Sequence, residues 1–262
     1  MRYGVISDIH GNLEALEAAI AVLAEQGVDE YLCPGDLVGY GPRPNECVTR
    51  LAELRARCVA GNHDLMALGA LSDRSCSELA RETLRWTRRE LTADSRDYLE
   101  RLPSVLTVEP GVVIRHGSLE NLTEYVRTEG QRAAQLRLLK EEFPDARVLI
   151  LGHTHERSAH GDRQGPIRTR LRRSLALADG ERYVLNPGSV GQSRQLRART
   201  RFMLLDVPHG QARFFAVRYD IRACRRALSD RGLPTWSVHT KPPLSQVGAD
   251  LVRAAARRAA RL

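Results

Sequence analysis

Five short segments of the 262-residue chain carry side chains suited to holding metal ions: Asp8-Ile9-His10, Gly35-Asp36, Gly61-Asn62-His63-Asp64, His116-Gly117 and Gly152-His153-Thr154-His155. Each alone is weak, because a histidine at a strand end more often makes an ordinary hydrogen bond than ligates a metal. The argument rests on their conjunction. Four of the eight histidines combine with two aspartates and an asparagine, each just after a run that reads as a strand and beside a glycine that permits a sharp turn. Imidazole, carboxylate and amide oxygen without thiolate fit Mn²⁺, Fe, Zn²⁺ or Ni²⁺ and argue against a structural zinc site or a calcium cage. Seven donors exceed what one such ion takes; they suit two ions about 3.5–4 Å apart that share a carboxylate.

The order DxH, GD, GNHD, HG, GHTH resembles the calcineurin-like metallophosphoesterase superfamily, and the resemblance runs on through the Asn186-Pro187-Gly188-Ser189-Val190-Gly191-Gln192 segment. The run from Gly35 to Pro42 (GDLVGYGP), followed by Pro44-Asn45-Glu46, is similar to the small bacterial metallophosphodiesterases of that superfamily. The resemblance implies a four-layer α/β/β/α sandwich, two mixed sheets flanked by helices. It implies that Asp8, His10 and His155 hold one ion, that Asn62, His116 and His153 hold the other, and that Asp36 bridges them. His63 matches the family's catalytic histidine, which faces the leaving-group oxygen, and Asp64 would orient it. Mn²⁺ is the expected metal, with Fe, Ni²⁺ and Zn²⁺ as alternatives.

The expected chemistry is hydrolysis of a small phosphodiester by a metal-bridging hydroxide, which coordination makes available near neutral pH. Two divalent ions offset by Asp8, Asp36 and hydroxide leave a formal charge of about +1, matched to a diester monoanion. His63 would assist the departing alkoxide. Arg194 is a candidate phosphate clamp, since a guanidinium binds two oxygens at once; Ser189, in a turn rich in backbone N–H groups, and Asn12 are further candidate substrate contacts. A phosphoprotein phosphatase, a dinucleoside tetraphosphate hydrolase and a nuclease are the competing enzyme readings. Some superfamily members, such as the retromer scaffold subunit, use this fold for protein binding with an impaired metal site, but here no ligand position is replaced and His63 is present.

Alternating strands and helices must position these groups. Tyr3 to Ser7 reads as a strand, and Asn12 caps a helix whose Leu13, Leu16, Ile20 and Leu23 recur at helical spacing up to Gly27. Glu30 to Cys33 is a second strand, Pro44 opens a second helix, and Arg57 to Ala60 is a third strand. This βαβαβ rhythm puts ligands at the carboxyl ends of parallel strands. Residues 65–102 read as a helical excursion. Strands follow at Val105–Val108 and Val112–His116, then a helix near Gln131–Phe143 and strands at Val148–Leu151, Arg182–Leu185, Phe202–Asp206 and Arg213–Val217. One domain spanning residues 1–262 is expected, with an Arg-rich insertion at 157–180, loop-like over 157–173, and a basic amphipathic helix at about 244–262.

Composition narrows the partners. Hydrophobic residues make up 42% and charged residues 27%, ordinary for a globular chain, and no apolar run approaches a bilayer span. Five cysteines without a CxxC pair fit reduced thiols, so a cytoplasmic enzyme with no membrane partner is expected. The net charge of +8 is uneven: residues 1–150 carry 18 basic and 24 acidic side chains, and residues 151–262 carry 22 and 8. Of the 40 basic residues, 38 are arginine. A nucleic-acid partner is the alternative to a small phosphate ester, but it needs stacking aromatics, which are only 5% of the chain.

Overall fold

The computed structural model describes residues 1–108, 111–169 and 174–240. In chain order the elements are β1 (Arg2–Val5), α1 (Leu13–Glu25), β2 (Glu30–Cys33), α2 (Pro44–Glu53), β3 (Arg57–Cys58), α3 (Asn62–Leu68), α4 (Glu78–Glu90), α5 (Ala93–Glu100), β4 (Val105–Val108) and β5 (Val112–Arg115). They continue with α6 (Glu129–Glu142), β6 (Val148–Leu151), β7 (Ser158–Gly161), β8 (Gly165–Ile167), β9 (Ser174–Ala176), β10 (Tyr183–Asn186), β11 (Thr200–Asp206), β12 (Gln211–Val217) and α7 (Ile221–Asp230). Two six-stranded mixed sheets form, ordered β3-β2-β1-β11-β12-β9 and β4-β5-β6-β10-β7-β8.

Strand alternation explains the layers. Along β1, β2 and β11, the side chains Tyr3, Val5, Leu32, Met203 and Leu205 enter an inter-sheet core with Ile114, Val148, Ile150, Tyr183 and Leu185 of the other sheet. Their neighbours Tyr31, Cys33, Phe202 and Leu204 face the opposite way, onto Leu16, Ile20 and Leu23 of α1 and Leu51 of α2. In the second sheet Val113, Leu149, Leu151 and Val184 pack on Leu136 and Leu139 of α6. Helix, sheet, sheet, helix is the resulting order.

β1, β2 and β3 run parallel to one another, as do β5, β6 and β10. Their carboxyl ends deliver the loops that carry the ligand motifs, so both sheets feed one edge.

The excursion at 65–102 resolves into α3, α4 and α5, with Ser77 and Thr92 accepting from the Ala80 and Ser95 amides as N-caps. The Arg-rich stretch after residue 157 differs from the expected loop. Ser158–Gly161 pairs antiparallel with β10, Gly165–Ile167 forms a hairpin strand against it, and Ser174–Ala176 pairs with β12 in the other sheet. These strands lack β-branched runs, and Pro166 sits on the terminal strand, where the missing N–H costs no ladder bond; pairing partners, not local propensity, make them strands. Helix α7 was also not anticipated, although Asp220 caps it and Cys224, Ala227 and Leu228 form its buried face. Arg170, Arg172, Arg173 and the helix expected at about 244–262 lie outside the described residues. Among the described residues no helix is long and apolar enough to cross a membrane.

Ile150 is fully buried between the sheets on the strand leading to His153. Replacing it with alanine should cost about 2–5 kcal/mol through lost burial and a residual cavity, read as a lowered midpoint in urea unfolding.

Candidate metal centre

The seven candidate ligands converge in this structure from both sheets. Asp8 and His10 follow β1, Asp36 follows β2, Asn62 opens α3 after β3, His116 follows β5, and His153 and His155 follow β6. Five of the seven, Asp8, His10, Asp36, His153 and His155, adopt left-handed backbone with φ between 50° and 64°. Each such residue costs about 1–3 kcal/mol, a strain that clusters at functional sites. The loops are held by a backbone ladder, with Asp8 N donating to Gly35 O at 3.1 Å, His10 N to Asp36 O at 3.0 Å and Gly11 N to Leu37 O at 2.9 Å. Gly61 is required by close approach, because a Cβ there would lie 2.2 Å from the Asp36 amide and Oδ1.

The donor atoms of Asp8, His10, Asp36 and His155 lie within 4.8 Å of one another, as do those of Asp36, His116 and His153, and all are buried. Asp36 belongs to both groups. Its Oδ1 accepts from the His63 amide at 2.8 Å. Its Oδ2 accepts no well-aligned hydrogen bond, lying 3.2 Å from His116 Nε2 in one group and 3.5 Å from His10 Nε2 in the other.

The histidine tautomers follow from their carbonyl partners. His10 Nδ1 donates to Val38 O at 3.1 Å, His116 Nδ1 to Pro34 O at 2.8 Å and His155 Nδ1 to Gln192 O at 2.8 Å, which turns each Nε2 toward the cluster. His153 is reversed: Nε2 donates to Thr123 O at 3.1 Å, leaving Nδ1 as its donor atom.

Burial holds His10 and His155 neutral, well below the usual histidine range. Their Nε2 atoms nonetheless stand 3.2 Å apart, lone pair toward lone pair. A cation between them removes that repulsion, and the same holds for Asp8 Oδ1, 3.3 Å from His155 Nε2. The donor set therefore fits divalent ions.

Elsewhere a proton fills the role. Burial lowers the His116 pKa, but Asp36 overrides it and lifts the group to about 9, while burial and neighbouring Asp36 raise Asp8 to about 7. Burial and then the His116 charge push His153 down to about 3. His116 Nε2 also lies 2.9 Å from Asn62 Oδ1, to which its proton can donate.

Asp64 sits elsewhere than expected. Its carboxylate accepts from the Asp36, Leu37, Val38 and Gly61 amides at 2.8–3.1 Å, tying the Asp36 loop to the start of α3, and makes no bond to the His63 ring. His63 is wedged against Tyr40 and His10, with ring centroids 4.8 Å from each. Its Nδ1 is buried without a partner, so Nε2 is the nitrogen left to face the adjoining cavity.

Asn12 is fully buried, with Oδ1 capping α1 at Ala15 N and Nδ2 donating to Gly191 O at 2.8 Å. Ser189 Oγ donates to Asp8 O and accepts from Gln192 N, both at 2.9 Å. Neither lines the cavity. Arg194 does: Nε donates to Gln192 Oε1 at 2.9 Å, and the guanidinium also hydrogen-bonds the Tyr125 side chain at the cavity edge. Burial would lower its pKa, but the Tyr40 and Tyr125 hydroxyls beside it and Asp8 hold it above the usual value.

Tyr40 and Tyr125 are site residues the motif reading missed, whereas Gln192, of the Asn186–Gln192 segment, does line the cavity. Tyr125 stacks on His153 with centroids 3.9 Å apart, and Arg127 lies 4.3 Å from its ring centroid. No periodicity marks such single loop residues; only the GYGP run around Tyr40 carried a signal.

Residues 1–210 match the family model of the calcineurin-like phosphoesterase superfamily domain. The chain is 33% identical to a metallophosphoesterase from Sphaerobacter thermophilus, whose crystal structure it matches with a TM-score of 0.75 over 91% of this chain and 96% of that one. A hypothetical protein from Pyrococcus horikoshii has the same fold at 22% identity, with a TM-score of 0.72 over 90% of this chain and 96% of the other. An uncharacterised protein of Methanocaldococcus jannaschii is 28% identical over 237 residues, covering 88% of this chain and 93% of its own. The chain belongs to the calcineurin-like phosphoesterase superfamily. It is a metal-dependent phosphoester hydrolase.

Two outcomes test the centre. Asp36→Asn should lower bound metal more than His155→Ala, because Asp36 belongs to both donor groups and His155 to one, as read by elemental analysis after reconstitution. Ions displace the His116 proton, so affinity should rise as pH increases from about 7 to about 9 and level off above; calorimetry in buffers of different ionisation enthalpy would show proton release.

Proposed function

We propose that the protein is a phosphodiesterase with a two-ion centre, Asp8, His10 and His155 holding one ion, Asn62, His116 and His153 the second, and Asp36 bridging through Oδ2. The observation that carries this reading is the position of that one oxygen between the two donor groups, beside a cavity of about 510 Å³ that His63 and Arg194 share. When bound, the ions would supply Lewis acidity and a water acidic enough to attack phosphorus near neutral pH. Manganese is the ion we propose, with Fe, Ni²⁺ and Zn²⁺ as alternatives that the same nitrogen and oxygen donors would accept.

The remaining work falls to the chain. Arg194, fixed through Nε, offers its terminal nitrogens to two phosphoryl oxygens. His63, held neutral chiefly by burial, presents Nε2–H to the departing oxygen. Asp64 acts at one remove, keeping the Asp36 loop and the His63 helix in register. Ser189 and Asn12 act as positioning residues, joining the Gly191–Gln192 turn to Asp8 and to α1. The cavity is larger than one phosphoryl group needs, which favours a diester over a bare monoester. A cytoplasmic location accords with five free cysteines.

His63→Ala should reduce kcat on bis(p-nitrophenyl) phosphate by about 10² to 10⁴ with metal content unchanged. Arg194→Lys, which loses two-point contact, should raise KM more than it lowers kcat. Absence of turnover by the manganese-loaded protein on diesters, alongside rapid monoester hydrolysis, would overturn the diester reading.

A further inference from the structure

The cavity beside the metal centre has two unlike halves. One is the polar floor of Asn62, His63, His153 and Arg194. The other is built by α3, the first turn of α4 and the segment joining them, which supply Met66, Leu71, Leu79 and Ala80 together with Ser72 and Ser77. Among the described lining residues there is no aspartate, glutamate or lysine, and Arg194 is the one arginine.

Volume and charge together define what fits. A phosphoryl group takes the space of a few waters, about 30 Å³ each, and is served by the floor. The rest of the approximately 510 Å³ lies within the range of pockets that enclose small organic ligands, about 300–1,000 Å³. A second phosphoryl group there would bring anionic charge to a wall without a cation. An uncharged group with both apolar surface and hydroxyls is matched by methyl, thioether and hydroxyl lining. His63 of the floor stands on α3, the same helix that carries Met66 of the wall, so a group seated on the wall adjoins the histidine and is the one whose oxygen leaves phosphorus.

We propose that the α3–α4 wall is the leaving-group pocket of this enzyme, and that its substrates carry a single phosphoryl group esterified to an uncharged, hydroxyl-bearing arm of nucleoside size. The proposal rests on the phosphodiesterase reading and deepens it. Water's oxygen bonds to phosphorus as the P–O bond to the arm breaks; one of water's protons stays with the new phosphate monoester and the other is in net transferred to the arm's oxygen, so the arm departs as its neutral alcohol.

Methyl thymidine 5′-phosphate tests this, because its two leaving alcohols are of similar acidity and only one fits the pocket. The metal-loaded protein should release thymidine and methyl phosphate at least about tenfold faster than methanol and thymidine monophosphate, a discrimination within reach of pocket contacts. Thymidine alone should bind, seen by saturation-transfer NMR, and inhibit competitively.

Leu79 stands half-buried in the first turn of α4, where the helix dipole tolerates an acid. Leu79→Trp, which fills the pocket, and Leu79→Asp, which charges it, should each shift the product ratio toward unity and weaken thymidine binding. An equal or reversed ratio in the wild type would overturn the pocket assignment, as would a ratio indifferent to both variants. So would faster cleavage of a dinucleoside tetraphosphate, or failure to cleave the methyl ester while bis(p-nitrophenyl) phosphate is hydrolysed. Failure on bis(p-nitrophenyl) phosphate as well would instead defeat the phosphodiesterase reading.

Discussion

A carboxylate with one oxygen aimed into a gap between imidazoles, cut off from water, is the constraint around which this protein is arranged. Asp36 is almost completely buried, and burial would ordinarily drive its proton back on; protonated His116 beside it keeps it ionised, well below the usual carboxylate range. That charge demands positive partners on two sides. The His116 proton answers on one side, while on the other His10 and His155 present only lone pairs. The cluster is a set of negative and neutral donors left short of cations, and that shortage gives it affinity for metal.

Keeping such donors together costs backbone energy, which the two sheets supply. Left-handed turns at Asp8, His10, Asp36, His153 and His155 persist because each loop is fastened to another: the Asp8 loop to Gly35 and Gly191, the Asp36 loop to Asp64, and the His153 amide to Asp8 Oδ1 at 3.0 Å. Asp64 is the clearest case. Its carboxylate replaces four backbone acceptors at once and, despite its neutral reputation as a flanking residue of the motif, makes the Asp36 turn and the start of α3 one rigid unit. Ligand placement here is a property of the network between loops, more than of any loop alone.

Much of this was legible in the sequence, for identifiable reasons. Metal donors beside glycines at strand ends leave a compact signal, and β-branched runs such as Val148–Leu151 mark buried strands whatever surrounds them. Adjacency misled at Asp64: consecutive residues on a helix do not face each other, so it could not orient the His63 ring as expected. Ser158–Gly161 and Ser174–Ala176 were unreadable because their strand character comes from β10 and β12, distant in sequence, and Gly165–Ile167 is a strand only by pairing with Ser158–Gly161. Tyr125 escaped notice because aiming a lone loop side chain at a cavity leaves no pattern.

The sheet order also sets a timetable. β1 carries the first ligand loop but pairs with β11, and the Asp8 loop is completed by amides of Val190 and Gly191, while His155 leans on the carbonyl of Gln192. On a ribosome adding about 5–20 residues per second, roughly ten to forty seconds separate the first donor from the strand that closes over it. Until then the early donors are loose groups on an unfinished edge, available to any ion. Assembly of the donor set therefore waits on the late strand, so the site and the first sheet are completed together in time.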